Sequence, residues 1–211
     1  MTRSCPICQF DESLTIDPDY MGYALYECRQ CGHRFVDSEA LSQAWLDDYY
    51  LNTYKTDDLP YSDARLNSLA QCVKNYSMFV LDIGGMDGEL QDRLTKIGVT
   101  CDVSGVGDNW SGSYASVILS HTLEHIYDVP AMFARIKANL VKGGYLFIEV
   151  PIHSPWYLPP KVYDYHWQHI QKFRVVGLVE LMLKNGFEIV ESVVLPMYRE
   201  YHCHRMVARY A

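Results

Sequence analysis

The sequence predicts an α/β fold, a mostly parallel sheet with helices on both faces, preceded by a small cysteine-bearing metal module. Three observations predict it. From Phe79 onward, strand-like apolar runs alternate with helical ones, the pattern of βαβ units. The run Val80-Leu81-Asp82-Ile83 passes into Gly84-Gly85 and then into a helix-like segment, a junction that allows a sharp turn and a close-lying ligand. Ahead of both, Cys5-Pro6-Ile7-Cys8 and Cys28-Arg29-Gln30-Cys31 repeat a paired-cysteine spacing.

The elements follow in order. Residues 1–37 hold the cysteine pairs and little that could build a core. Residues 38–75 are polar and tyrosine-rich, a helical linker or lid, with helix-like patterning around Leu41 to Tyr50 and Ala64 to Val73. Residues 76–211 form the main domain. There the pattern gives strands at Phe79–Ile83, Val99–Val103, Ser116–Ser120, Tyr145–Val150, Glu188–Leu195 and His204–Tyr210. Helices are expected at Gly88–Ile97, Val129–Asn139 and Val175–Asn185. The last two strands have no helix between them, so they are expected to pair antiparallel at one edge of the sheet.

Composition narrows the function. The chain has 211 residues, enough for one α/β domain plus a small appendage. The formal charge is −8 and no Lys/Arg stripe appears, which argues against nucleic acid as partner and for a small-molecule substrate. No apolar run is long enough to span a membrane, and the opening residues lack the apolar core of a secretory signal. A cytoplasmic protein is expected. In a reducing compartment, close cysteine pairs hold metal more often than they form disulfides.

Two residues between thiolates let one tight turn present both sulfurs to one ion, and two such turns complete a four-sulfur tetrahedron. Cys5, Cys8, Cys28 and Cys31 are therefore the candidate ligands of a zinc ribbon, with iron as the alternative ion. With no open coordination position the site is expected to be structural. Gly32, directly after the second pair, suits a knuckle whose amides point at the sulfurs. Cys72, Cys101 and Cys203 read as core or strand residues.

The glycines after Ile83 let the chain turn sharply and let a ligand press against backbone. A strand–glycine–helix unit could serve a dinucleotide or simply be a tight turn, and Met86 stands where a dinucleotide fingerprint has its middle glycine. The stretch Val80 to Leu90 resembles motif I of class I S-adenosylmethionine (SAM) methyltransferases. Its IGxxDG core is similar to that of the sugar C-methyltransferases, whose members also begin with a paired-cysteine zinc-binding region. The resemblance continues through Ser120-His121-Thr122-Leu123-Glu124-His125, the turn Lys142-Gly143-Gly144 and the strand ending in Pro151, so it covers most of residues 79–151. It implies a Rossmann-like class I methyltransferase sheet with SAM as cofactor. Asp82 would lie near the methionine end of SAM, Gly84, Gly85 and Gly88 would line it, and Asp87 would stabilise the loop. Asp102 would accept hydrogen bonds from the ribose hydroxyls, and His121 would face the cofactor cleft. Glu124 and His125 stay open between a site role and a structural role.

The chain departs from that family after Asp102. A helix and a third strand are expected there, and only about a dozen residues intervene before Tyr114, so the domain is abridged. Asp108, Asn109 and Trp110 are candidates to replace the adenine pocket, by hydrogen bonds to N6 and by an indole on the ring face.

On the acceptor side, His169 and Phe173 match the family's EHxxxF segment, in which the histidine is placed as a base. Gln168 stands where that segment has glutamate. His169 is the first candidate for catalytic base and His166 the second. Tyr49, Tyr50 and Tyr54 resemble the tyrosine-rich segment that closes over the cofactor, with plain packing as the other reading. The expected function is SAM-dependent methylation of a sugar or nucleotide-linked sugar. The alternative is a non-catalytic protein of the same fold with a degenerate SAM site. A nucleobase methyltransferase is disfavoured, because Ser120-His121-Thr122-Leu123 occupies the place of the Asn/Asp-Pro-Pro-aromatic tetrapeptide.

Overall fold

A computed structural model describes residues 3–20, 23–36, 63–85, 88–152, 169–196 and 202–211. The helix-like stretch Leu41 to Tyr50, the tyrosines Tyr49, Tyr50 and Tyr54, and Asp87, His166 and Gln168 lie outside the described residues.

Two sheets organise the chain. The amino-terminal sheet runs β1 (Ser13–Tyr20), β2 (Tyr23–Cys28) and β3 (Arg34–Val36), all antiparallel, and then takes a fourth strand, β8 (Gln171–Lys172), from far along the sequence. The main sheet is six-stranded, in the order β5 (Thr100–Ser104), β4 (Phe79–Ile83), β6 (Tyr114–Ser120), β7 (Leu140–Pro151), β10 (His202–Tyr210), β9 (Phe187–Pro196). Strands β5, β4, β6 and β7 are mutually parallel, while β10 runs antiparallel to both β7 and β9. The expected antiparallel pair is thus at one edge. At the other edge lies β5, and among the described residues no third strand stands beyond it.

Helices cover both faces. Helix α1 (Asp63–Lys74) and α2 (Glu89–Lys96) bury Leu66, Leu69, Val73, Leu90 and Leu94 against Val80, Ile118, Phe147 and Val207. Helix α3 (Val129–Asn139) and α4 (Val175–Lys184) bury Phe133, Ile136, Leu178 and Met182 against Leu81, Val117, Leu119, Leu146 and Ile148. Alternate residues of each strand serve opposite faces, as the two-residue pleat requires. Each fully buried Phe or Leu contributes about 1.5–3 kcal/mol by leaving water. Asp128 caps α3 by accepting from the Ala131 amide at 2.9 Å.

Beyond shifts of one or two residues at element ends, two features differ from the sequence reading. Strand β7 begins at Leu140, so Lys142-Gly143-Gly144 lies inside it. Leu140 pairs with Tyr114 before the register shifts to Ser116–Tyr145, and a Cβ on Gly144 would come within 2.7 Å of the Ala115 carbonyl. The glycines make a bulge where two backbones approach closely, not a turn that ends the element. Strand β8 was not anticipated, because a two-residue strand is dictated by its partner and not by its own sequence.

A buried ion triad ties α1 to the sheet. Glu149 on β7 accepts from Arg65 of α1, from Arg205 Nε of β10 at 2.7 Å and from Ser120 Oγ at 3.3 Å. Arg205 Nη1 also donates to Ser68 Oγ at 2.9 Å.

Candidate cofactor and metal sites

The four cysteines converge. All four are buried, and their sulfurs lie within 4.8 Å of one another. The closest cross-pairs are Cys5–Cys31 at 3.7 Å and Cys8–Cys28 at 3.4 Å. A disulfide would need about 2.05 Å, so these are thiols. Sulfurs held about 2.3 Å from one tetrahedral ion stand just under 4 Å apart, close to the spacing seen.

Each pair sits on a knuckle of the same construction. The Cys5 amide donates to the Phe10 carbonyl and the Gln9 amide to the Cys5 carbonyl, both at 2.9 Å. In the second knuckle Cys28 donates to His33 at 2.8 Å and Gly32 to Cys28 at 2.9 Å. Gly32 has φ +67° and its counterpart Gln9 has φ +59°. The first knuckle thus places a residue with a side chain in the left-handed region, which no local pattern marks. Without an ion, burial pushes the Cys8 thiol up to about 11, and its hydrogen bond with Cys5 pushes Cys31 up strongly as well. Four thiolates in this space require a cation.

The first two residues after β4 are glycines. Gly84 has φ +87°, its amide donates to the Ser104 carbonyl at 2.8 Å, and a Cβ there would stand 2.6 Å from Thr122 Oγ1. A Cβ on Gly85 would fall 2.2 Å from Asp82 Oδ2. Glycine alone takes the Gly84 conformation without strain, and a side chain at position 85 would have to displace the buried Asp82 carboxylate. Asp82 is buried directly behind this turn, and Gly88, at φ +70°, opens α2 with its amide on the Gly85 carbonyl at 3.1 Å. On the neighbouring strand Asp102 pairs with Leu81, is exposed, and accepts from the Tyr114 hydroxyl at 3.3 Å. The structure therefore brings Asp82, Gly84, Gly85 and Gly88 to the carboxyl edge of β4, with Asp102 midway along the adjacent parallel strand, level with Leu81.

The segment that replaces the missing elements is folded on itself. Asp108 accepts from the Gly105 amide at 2.6 Å and from Ser104 Oγ at 3.2 Å. Trp110 is buried, its indole N–H donates to the Gly105 carbonyl at 3.0 Å, and the Arg135 guanidinium covers its ring at 3.8 Å. Asp108 and Trp110 here build the loop.

At the end of β6 the chain reaches His121, whose φ of +52° is left-handed and whose amide donates to the Glu149 carbonyl at 2.8 Å. Such a conformation costs about 1–3 kcal/mol and persists only where surroundings enforce it. Thr122 Oγ1 donates to the Ile83 carbonyl at 2.9 Å, locking this turn to the glycine turn. Then a single 3₁₀ turn, Leu123–His125, carries Glu124, whose side chain has no exposed surface. Its Oε1 lies 3.3 Å from His121 Nδ1 and 3.8 Å from His125 Nε2. Burial raises the Glu124 pKa, but the His121 and His125 imidazoles outweigh it and hold the carboxyl below its ordinary value. The His169 ring meets the His125 ring edge-on with centroids 4.9 Å apart. His169 thus joins a cluster that sequence reasoning had left divided between site and scaffold.

This cluster is wired to the cysteine sheet. His33 Nε2 bonds Gln171 Oε1 at 2.8 Å, and Gln171 Nε2 donates to the Ile126 carbonyl at 3.1 Å. Arg174 Nη2 meets Glu27 at 3.0 Å, and Lys184 donates to the Cys8 carbonyl at 2.5 Å.

Comparison with known proteins agrees with this geometry. No curated protein matches the chain. Among solved structures, the Burkholderia thailandensis 1,6-didemethyltoxoflavin-N1-methyltransferase, solved with 1,6-didemethyltoxoflavin and S-adenosylhomocysteine, is similar at TM-score 0.62 and 17% identity, covering 95% of this chain and 99% of that one. The magnesium protoporphyrin IX methyltransferase of Synechocystis with bound SAM is similar at TM-score 0.54 and 15% identity, with 81% and 98% covered. The N-methyltransferase NodS of Bradyrhizobium japonicum gives TM-score 0.52 and 14% identity, with 73% and 98% covered. At these identities the likeness is one of fold. A methyltransferase-domain family matches residues 59–192, well over half the chain. With its glycine turn and its parallel strands, the chain belongs to the methyltransferase-domain family and has the fold of a SAM-dependent methyltransferase.

Proposed function

We propose that the protein binds SAM at the β4–α2 turn and methylates a small polar acceptor, a sugar or nucleotide-linked sugar, at oxygen or carbon. The observation that carries the reading is the turn itself. Gly84 turns at φ +87° with no Cβ to strike Thr122, Gly85 lies directly against the buried Asp82 carboxylate, and exposed Asp102 stands on the next strand. Solved relatives of the fold hold SAM or its demethylated product, which supports the same ligand here.

Bound SAM would supply an electrophilic methyl group on a sulfonium. The chain's own residues have three tasks. Asp82 and the glycine turn hold the methionine end, Asp102 holds the ribose hydroxyls, and Asp108 and Trp110 shape the loop beside the adenine. His169 takes the proton from the acceptor, so that the acceptor–methyl bond forms as the sulfur–methyl bond breaks. Alignment in line and exclusion of water contribute most of the remaining rate. Cys5, Cys8, Cys28 and Cys31 hold a structural Zn²⁺, because the four buried sulfurs fit one tetrahedral ion and leave no open position.

Calorimetric titration with SAM and with S-adenosylhomocysteine tests the reading. Both are expected to bind the wild type, and Asp82→Ala is expected to weaken each at least about tenfold, the loss of roughly one charge-assisted hydrogen bond. Absence of binding to the wild type would overturn it.

A further inference from the structure

Glu124 is a charged group that the methyl-transfer chemistry leaves unused. Its carboxylate is wholly buried, and taking it out of water costs several kcal/mol unless a positive charge lies beside it. The cations of the nearby triad, Arg65 and Arg205, are committed to Glu149. Around Glu124 stand imidazoles. The His125 Nε2 contact at 3.8 Å is too long for a hydrogen bond. One ligand atom each from Glu124, His125 and His169 lies within 4.8 Å of the other two. Ligands about 2.0–2.2 Å from one tetrahedral zinc-class ion stand roughly 3.3–3.6 Å apart. A contraction of about an ångström therefore closes the group on an ion.

The group is also held ready. Glu124 and His125 share one 3₁₀ turn, fixed by the His125 amide on the Thr122 carbonyl at 3.0 Å and the Ile126 amide on Leu123 at 3.2 Å. His169 lies two residues before Gln171, which donates to the Ile126 carbonyl. Two short segments distant in sequence are thus pinned together at the point where their ligand atoms meet. His121 stands at 3.3 Å from the same carboxylate oxygen, placed to orient it.

We propose that Glu124, His125 and His169 form a second divalent-metal site, of the two-imidazole, one-carboxylate class that takes Zn²⁺ and its first-row neighbours. Three protein ligands leave a coordination position open, the mark of a reactive site as distinct from the closed four-sulfur one. An acceptor hydroxyl coordinated there loses its proton to water more readily, and the resulting alkoxide attacks the methyl carbon. With the ion in place His169 is a ligand, and the ion takes over the ionisation assigned to that histidine above. This consequence rests on the methyl-transfer reading; the ion site does not.

The test uses the full chain, stripped with chelator, reloaded with Zn²⁺ or Co²⁺ and desalted, with metal per chain measured by plasma emission. Wild type is expected to hold one equivalent more than His169→Ala and His125→Ala, each checked for unchanged circular dichroism. Co²⁺ is expected to give thiolate charge-transfer bands that persist in both variants, and weaker visible bands that vanish in them. Glu124→Gln is expected to match the histidine variants, and because it is buried the two histidine variants keep the test decisive if it fails to fold. Equal metal content in wild type and both histidine variants overturns the site. SAM titration of the same samples separates the two claims. A chain that binds SAM without the extra equivalent refutes the ion alone; one that holds the extra equivalent but no SAM refutes the cofactor reading alone.

Discussion

Replacing Glu149 by Gln is the most informative perturbation of the scaffold. The change keeps shape and volume but removes the negative charge that Arg65 and Arg205 share. Those guanidinium side chains are 3% and 5% exposed, and the carboxylate is 0% exposed. Its oxygens accept from Arg65, from Arg205 Nε at 2.7 Å and from Ser120 Oγ at 3.3 Å, and the glutamine amide can serve only part of that set. Breaking a buried pair by removing one partner costs about 3–5 kcal/mol, because the remaining charge is left uncompensated. At about 2–4 °C per kcal/mol for a chain of this size, Tm is expected to fall by roughly 6–20 °C. Urea unfolding followed by circular dichroism gives the free energy directly. A companion variant, Arg65→Met with Glu149→Leu and Arg205→Met, is expected to recover most of the loss, since an apolar core of similar volume needs no ion pairing. A loss under about 1 kcal/mol in Glu149→Gln would refute the view that this triad fastens α1 to the sheet.

Three further outcomes are expected. Gln9→Gly relieves a left-handed residue in the first knuckle and is expected to stabilise the protein by about 1 kcal/mol, read as a raised thermal midpoint. Cys101 and Cys203, whose thiols burial pushes up to about 12, are expected to resist a thiol reagent at about pH 8 until the protein unfolds, while the partly exposed Cys72 reacts earlier. His204 is buried, bonds Ser192 Oγ at 2.8 Å, and has its pKa lowered by desolvation. Above about pH 6.5 it is neutral folded or unfolded; below that the unfolded chain takes up the proton first, so stability falls as pH drops, and His204→Gln is expected to lessen the fall measured between about pH 7.5 and pH 5.5.

The parts legible in the sequence are those governed by local pattern. Val129–Asn139 is amphipathic with Asp128 before it and Pro130 in its first turn, and its bounds match the helix found. Phe79–Ile83 is an apolar run closed by glycines, and its bounds match as well. The abridged edge could be counted off, because a dozen residues cannot hold a helix and a strand. What stayed hidden depends on partners remote in the chain. Gln171 and Lys172 make a strand only because Arg34 and Phe35 offer an edge. Glu124 carried no signal beyond its motif, since its meaning comes from His169, which lies forty-five residues away and reaches it only in the folded chain. Asp108 and Trp110 have the chemistry to greet an adenine, and nothing local reveals that Arg135 and Gly105 engage them first.

The borrowed strand β8 means that the cysteine module is not an ornament hung on an enzyme. Cutting the chain after residue 36 would strand Lys172, now 1% exposed, at an open rim, and would snap the thread from His33 through Gln171 to Ile126. The far module thereby braces the end of the turn that carries Glu124 and His125. Under the proposed reading, damage to it would slow turnover at a distance while SAM binding persisted.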